Sequence, residues 1–123
     1  MKNILKILMR IKVTNEELYK IKERFPVVFN ELFQSPSDIA GQFGIPESEL
    51  DNLEFVYAFY EYEDYSGSAF VIYFNPEDEQ YYEVHGGHCS CYGLENQWEP
   101  EVIGTVSTFI EYLERRNLRH RHY

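Results

Sequence analysis

The chain has 123 residues, which suits one domain with a single modest core, and a net charge of −10 at neutral pH. That charge excludes direct binding of nucleic-acid phosphates by the body of the protein, since such a contact face needs the opposite sign. The composition, 44% apolar and 17% aromatic with eleven tyrosines, is that of a globular protein, and the tyrosine surplus suits interfaces and half-buried sheets.

Ile4, Leu5, Leu8 and Ile11 keep helical spacing, with Lys2, Lys6 and Arg10 on another face. Residues 1–13 are therefore expected as a basic helical arm, docked on the acidic body rather than on a membrane. Thr14-Asn15-Glu16-Glu17 matches a capping box and predicts a helix to about Arg24, closed by Pro26. Val27 to Phe33 is apolar and is read as one or two further helical turns. Ser35 as cap with Pro36 at the first helical position predicts a second helix, ending at Gly41 or Gly44. Pro46 opens a short one through Asn52. Asp38 to Leu50 has the outline of a helix-turn-helix, but its second helix would present Glu47, Glu49 and Asp51 to phosphates, which excludes DNA reading.

From Leu53 the period changes. Phe55 to Tyr62 is an aromatic-rich strand. Asp64 to Ser68 is a turn, Ala69 to Phe74 a second strand, Asn75 to Glu79 a second turn, and Gln80 to His85 a third strand that Gly86-Gly87 breaks. Cys89 to Trp98 adds a short strand or an ordered loop. After Pro100, Val102, Ile103, Val106, Phe109, Ile110 and Leu113 share one helical face, though Gly104 weakens the first turn and favours a start at Thr105. Arg115, Arg116 and Arg119 suit the helix C-terminus, and Asn117 to Tyr123 is expected as a frayed tail. The expected fold is one α+β domain: N-terminal helices, a central antiparallel meander of three or four strands, and a C-terminal helix packed on one face.

Charge is segregated along this order. Seven basic residues lie between Lys2 and Arg24 and four between Arg115 and Arg121, while residues 25–114 hold none, and eighteen of the Asp and Glu. A surface of one sign costs self-repulsion and is not required for folding, so it points to a partner of opposite charge. Cys89 and Cys91, one residue apart, would close too small a disulfide ring, which implies a reducing compartment. Lys6 and Arg10 interrupt Ile4 to Ile11 before a signal-peptide core forms, and no run is long enough to span a bilayer. These readings place the chain in the cytoplasm.

Three constellations bear on chemistry. His85, His88, Cys89 and Cys91 put four soft-metal donors within seven residues, and zinc takes such donors tetrahedrally. Only one such knuckle is present, however, and adjacent residues such as His88 and Cys89 rarely share an ion. The same cluster could serve a thiol enzyme with His85 or His88 as base. No third member is legible, and acidic surroundings raise a thiol pKa. The plainer alternative is a glycine-permitted turn with both cysteines packed as small residues. Glu61 and Glu63 share a strand face that Glu83 could join, to hold a cation or to form an acidic solvent face. A third arrangement has the Gly-rich turn and Trp98 lining a pocket that sequesters a small molecule.

Two segments, Glu63-Asp64-Tyr65-Ser66-Gly67-Ser68-Ala69-Phe70-Val71 and Tyr82 to Pro100 with its HCSCYG and WEP motifs, resemble signatures of small uncharacterised proteins of bacteriophages and prophages. The resemblance covers roughly Ser35 to Glu101 and carries no assigned activity, so no catalytic residue is transferred. It implies a protein that acts by stoichiometric binding in a host bacterial cytoplasm, including inhibition of machinery that handles nucleic acid. The expected partner is a basic, nucleic-acid-binding surface of a host protein, engaged without a cofactor. The expected contacts are Glu61, Glu63, Asp64, Glu77, Asp78 and Glu79, with Tyr60, Tyr62 and Tyr65 adding area.

Overall fold

The computed structural model describes residues 14–90 and 93–120, with side chains as far as Arg115. The arm expected over residues 1–13 lies outside the described residues. The elements are α1 (Asn15–Arg24), β1 (Phe29–Glu31), α2 (Pro36–Phe43), a 3₁₀ turn (Glu47–Leu50), β2 (Glu54–Glu63), β3 (Ser66–Asn75), β4 (Gln80–His88), β5 (Glu101–Gly104) and α3 (Val106–His120). They form an α+β domain around one five-stranded sheet in the order β1-β2-β3-β4-β5. The pairs from β2 to β5 are antiparallel, and β1 lies parallel to β2. No described helix is long and apolar enough to cross a membrane.

The helix starts follow local chemistry. The Thr14 hydroxyl accepts from the Glu17 N–H, and the Glu17 carboxylate accepts from the Thr14 N–H, each at 3.1 Å. Ser35 caps α2 with Pro36 in its first turn, and Gly44 ends it at φ 69°, the left-handed position that glycine fills most easily.

Four expectations are corrected. Val27 to Phe33 is not helical: its centre is β1, because the edge of β2 offers partners that a lone turn lacks. The Ala58 N–H donates to the Val28 carbonyl at 2.7 Å and the Leu32 N–H to the Tyr60 carbonyl at 3.0 Å. The sheet has five strands rather than three or four, since Glu101–Gly104 pairs with Tyr81–Glu83 before the last helix starts. Gly86 and Gly87 do not break the third strand, which stays paired through His88. The tail expected from Asn117 begins as helix, and residues 121–123 lie outside the description.

Both faces of the sheet are covered. Val71, Ile72, Tyr73 and Phe74 are buried in succession along β3, the pattern of a strand with no solvent side. On the first face, Ala58, Tyr60, Ala69, Val71, Tyr73 and Val84 meet Phe33, α2 residues Ile39 and Phe43, and Leu94. On the second, Ile72, Phe74 and Tyr81 meet Ile21 of α1 and Phe109 and Leu113 of α3. The C-terminal helix thus packs on one face as expected, with α1 beside it and α2 opposite. A bulge in β2 between Phe55 and Tyr57 keeps the alternation in phase: Phe55 packs on the first face, and both Val56 and Tyr57 on the second.

Burial, reinforced by Tyr82 and Asp78, pushes the Tyr73 hydroxyl up to about 12, and burial with Glu54 and Glu17 does the same for Tyr81. Unfolding would return both to the ordinary 10.0. Their contribution to stability is therefore complete below pH 10 and is lost as pH rises towards 12. A phenolate titration should show Tyr73 and Tyr81 among the late-ionising tyrosines, with stability to denaturant falling between pH 10 and 12. Ionisation of all eleven tyrosines in one step near pH 10 by a still-folded chain would contradict this packing.

Candidate functional site

Gly86, Leu94 and Trp98 of the His85-to-Trp98 signature pack into the first face. Gly86 pairs with Ala69 across the β3–β4 ladder. A Cβ on Gly86 would lie 2.8 Å from Leu94 Cδ2 and 3.3 Å from Phe43 Cε1. The missing side chain thus admits Leu94, which is fully buried. Gln97 clips the loop down: its Oε1 accepts from the Gly87 N–H at 2.8 Å and its Nε2 donates to the Gly93 carbonyl at 3.0 Å. Trp98 stacks on Tyr73 at 5.9 Å and meets Phe43 edge-on at 5.1 Å. Trp98 is half-buried and packs against the core of the first face.

His88 folds over Gly67, its partner across the ladder, where any Cβ would run into the imidazole. Its Nδ1 lies 2.8 Å from the Cys89 carbonyl, which can only accept, so Nδ1 carries the proton of the neutral ring. Nε2 then accepts from the Tyr60 hydroxyl at 2.6 Å. Burial, with Tyr62 and Glu95 adding, raises the Tyr60 pKa and keeps that hydroxyl a donor.

This arrangement divides the expected metal or thiol cluster. His85 and His88 are three residues apart on one strand and point to opposite faces. His85 donates from Nε2 to Glu83 and packs on Phe70 at 4.7 Å. Cys89 is a free, exposed thiol. Both ring nitrogens of His88 are engaged elsewhere, so neither can take its proton. Cys91 lies outside the described residues. Among those residues, no group of three or more His, Cys, Asp or Glu is placed to hold a metal ion. The carboxylate group separates too. Glu61 is level with Ser68 of β3 and Glu83 with Ile72, four residues or about 13 Å further along the strand. Glu83 is also bonded by the Tyr112 hydroxyl at 3.3 Å.

The nine expected contact residues fall into three places. Tyr60 is 3% exposed and belongs to the core. Glu77, Asp78 and Glu79 form the β3–β4 turn, tied up within itself: the Asp78 carboxylate accepts from the Tyr82 hydroxyl and the Gln80 N–H, and Asn75 Oδ1 accepts from the Glu77 N–H. Glu61, Tyr62, Glu63, Asp64 and Tyr65 cluster at the other end of β3, ten residues or about 30 Å away.

That second cluster is a two-residue hairpin turn. Glu63 pairs with Ser66, and Asp64 and Tyr65 between them have φ of 52° and 68°. Both are left-handed, the geometry that hairpins usually fill with Asn-Gly. A tyrosine there costs about 1 kcal/mol of backbone strain. Tyr65 is 77% exposed and Tyr62 46%, and the Tyr62 ring rests 5.1 Å from His88. The Tyr60–His88 pair, its tyrosine buried and its histidine half-buried, thus supports an acidic, tyrosine-bearing tip. The turn expected over Asp64 to Ser68 is thus shorter than its composition suggests, because Ser66 to Ser68 already pair with Glu61 to Glu63.

No protein-family model, curated protein or solved structure matches this chain.

If the glycine and glutamine are packing devices, Gly86→Val should displace Leu94 and cost about 1–3 kcal/mol in urea denaturation. Cys89→Ser should stay within about 0.5 kcal/mol of the parent. Equal effects of the two substitutions would overturn this account of the signature.

Proposed function

We propose that this is a non-enzymatic binding protein of bacteriophage or prophage type that occludes a basic, nucleic-acid-binding surface of a host protein, as a counter-defence inhibitor in the host cytoplasm. The observation that carries the proposal is the β2–β3 tip. A strained turn holds Tyr65 out in solvent, where burial gives it no return within the chain. Such strain persists where the surrounding structure imposes it, and it gathers at functional sites.

The chemistry of the tip matches the partner class. Glu61, Glu63 and Asp64 supply negative charge in a stretch without Lys or Arg. Grooves that hold DNA or RNA are lined with Lys and Arg. Tyr62 and Tyr65 supply the rigid amphipathic rings that dominate interface energetics. Electrostatic attraction would speed the encounter, and ring burial would hold the complex. The β3–β4 turn is the weaker candidate, because its central carboxylate is used within the turn.

The test is capture from a bacterial host lysate by the immobilised full chain, followed by competition with duplex DNA and with RNA. A nucleic-acid-binding protein should be retained, released by one of the nucleic acids, and weakened as salt rises from about 50 to about 300 mM. Reversing Glu61, Glu63 and Asp64 to Lys should reduce capture about tenfold or more, and Tyr65→Ser severalfold. Reversing Glu77, Asp78 and Glu79 should do less. Retention that ignores both salt and the tip substitutions would refute the proposal.

A further inference from the structure

The second face of the sheet is covered unevenly. α1 and α3 lie over Ile72, Phe74 and Tyr81. Beside the C-terminal end of α1, an open hollow of about 430 Å³ is walled by Arg24, Phe25, Val27, Asn30, Tyr57 and Phe70, among others. Its size falls in the range of small-ligand sites. Three aromatic rings line it, with Phe25 and Tyr57 at 4.9 Å and Tyr57 and Phe70 at 6.1 Å between ring centroids.

The polar groups here are few and of a particular kind. Arg24 lies 5.4 Å over the Phe25 ring, and its Nε is enclosed without a hydrogen-bond partner. Arg24 is also the last cation before the long acidic stretch, the next being Arg115. The two terminal Nη groups of a guanidinium form a fork that matches the two oxygens of a carboxylate. Asn30 offers an amide, both donor and acceptor, on the same wall.

We propose that the hollow beside Arg24 binds a small aromatic carboxylate, with the terminal Nη groups of Arg24 taking the carboxylate and with Phe25, Tyr57 and Phe70 holding the ring. A single negative charge suits it better than a phosphate dianion, because the chain's net charge of −10 penalises each added negative charge. The site shares no residue with the β2–β3 tip and stands independently of the interaction proposed for that tip.

The experiment uses the full chain, with indole-3-acetate and benzoate as probes and indole-3-acetamide as the neutral control. Calorimetry should give one saturable site for at least one acid, with the acetamide about tenfold weaker or more. Spectra of labelled protein should place the shifts at Phe25, Asn30, Tyr57 and Phe70. Arg24→Gln should weaken acid binding about tenfold, and Arg24→Lys should also weaken it, since it keeps the charge but loses the fork. If Arg24→Gln does not fold, Arg24→Lys and Asn30→Ala serve in its place, each expected to weaken binding severalfold. The proposal falls if neither acid saturates by about 10 mM, if the folded Arg24 variants bind as tightly as the parent, or if the shifts lie elsewhere. It also falls if the free chain shows residues 1–13 filling the hollow.

Discussion

The burial of β3 on both faces constrains everything else in this fold. Val71, Ile72, Tyr73 and Phe74 run through the centre without a solvent side. Strands on either side of such a centre must present apolar side chains to both layers there, and none of the buried residues described is polar or charged. Acids then gather beyond the covered zone, and Glu83, level with Ile72 inside it, is held by His85 and the Tyr112 hydroxyl. Glu61, Glu63 and Asp64 fall at one end of the hairpin, Glu77, Asp78 and Glu79 at the other, and Glu47 and Glu49 in the 3₁₀ turn. The segregation of charge in the sequence is therefore partly a consequence of packing. What packing does not require is that these positions carry one sign only.

The same demand for cover explains the glycine-rich signature. The loop after β4 has to lie on the first face, and it can do so because Gly86 leaves room for Leu94 and Gly67 leaves room for His88. Gln97 then satisfies the Gly87 N–H and the Gly93 carbonyl, which the loop would otherwise leave unpaired. Reactive residue types gathered in one short stretch proved to be neighbours in sequence that face apart in space. His85 answers to Glu83 and Phe70, and His88 to Tyr60.

Much of this was legible from local chemistry. The Thr14 capping box, the Ser35-Pro36 start, the three long strands and the last helix from Val106 each carry their own signal and are found, whereas Val102 and Ile103, read as part of that helical face, lie in β5. The short edge strands β1 and β5 were not legible, because three or four residues have no periodicity of their own and are fixed only by a neighbouring strand. Tyr60 was misplaced as a contact for a different reason. Alternation along β2 shows that Tyr60 and Tyr62 share a face, but not where the cover from Phe33 and α2 stops. The boundary falls between them, leaving Tyr60 at 3% exposure and Tyr62 at 46%. The hollow beside Arg24 left no trace in the sequence, because it joins the end of α1 to residues of β1, β2 and β3 that only the sheet brings together.

One end of the sheet therefore shows tyrosine and carboxylate together in a strained turn, supported from below by the hydrogen-bonded Tyr60–His88 pair. That end is the surface on which the functional account rests. Hydrogen–deuterium exchange on the full chain, alone and with its captured partner, tests it most directly. The account predicts slowed exchange at Tyr62 to Ser66 and unchanged exchange at Glu77 to Gln80. Protection confined to the β3–β4 turn, or absent from the β2–β3 tip, would contradict it.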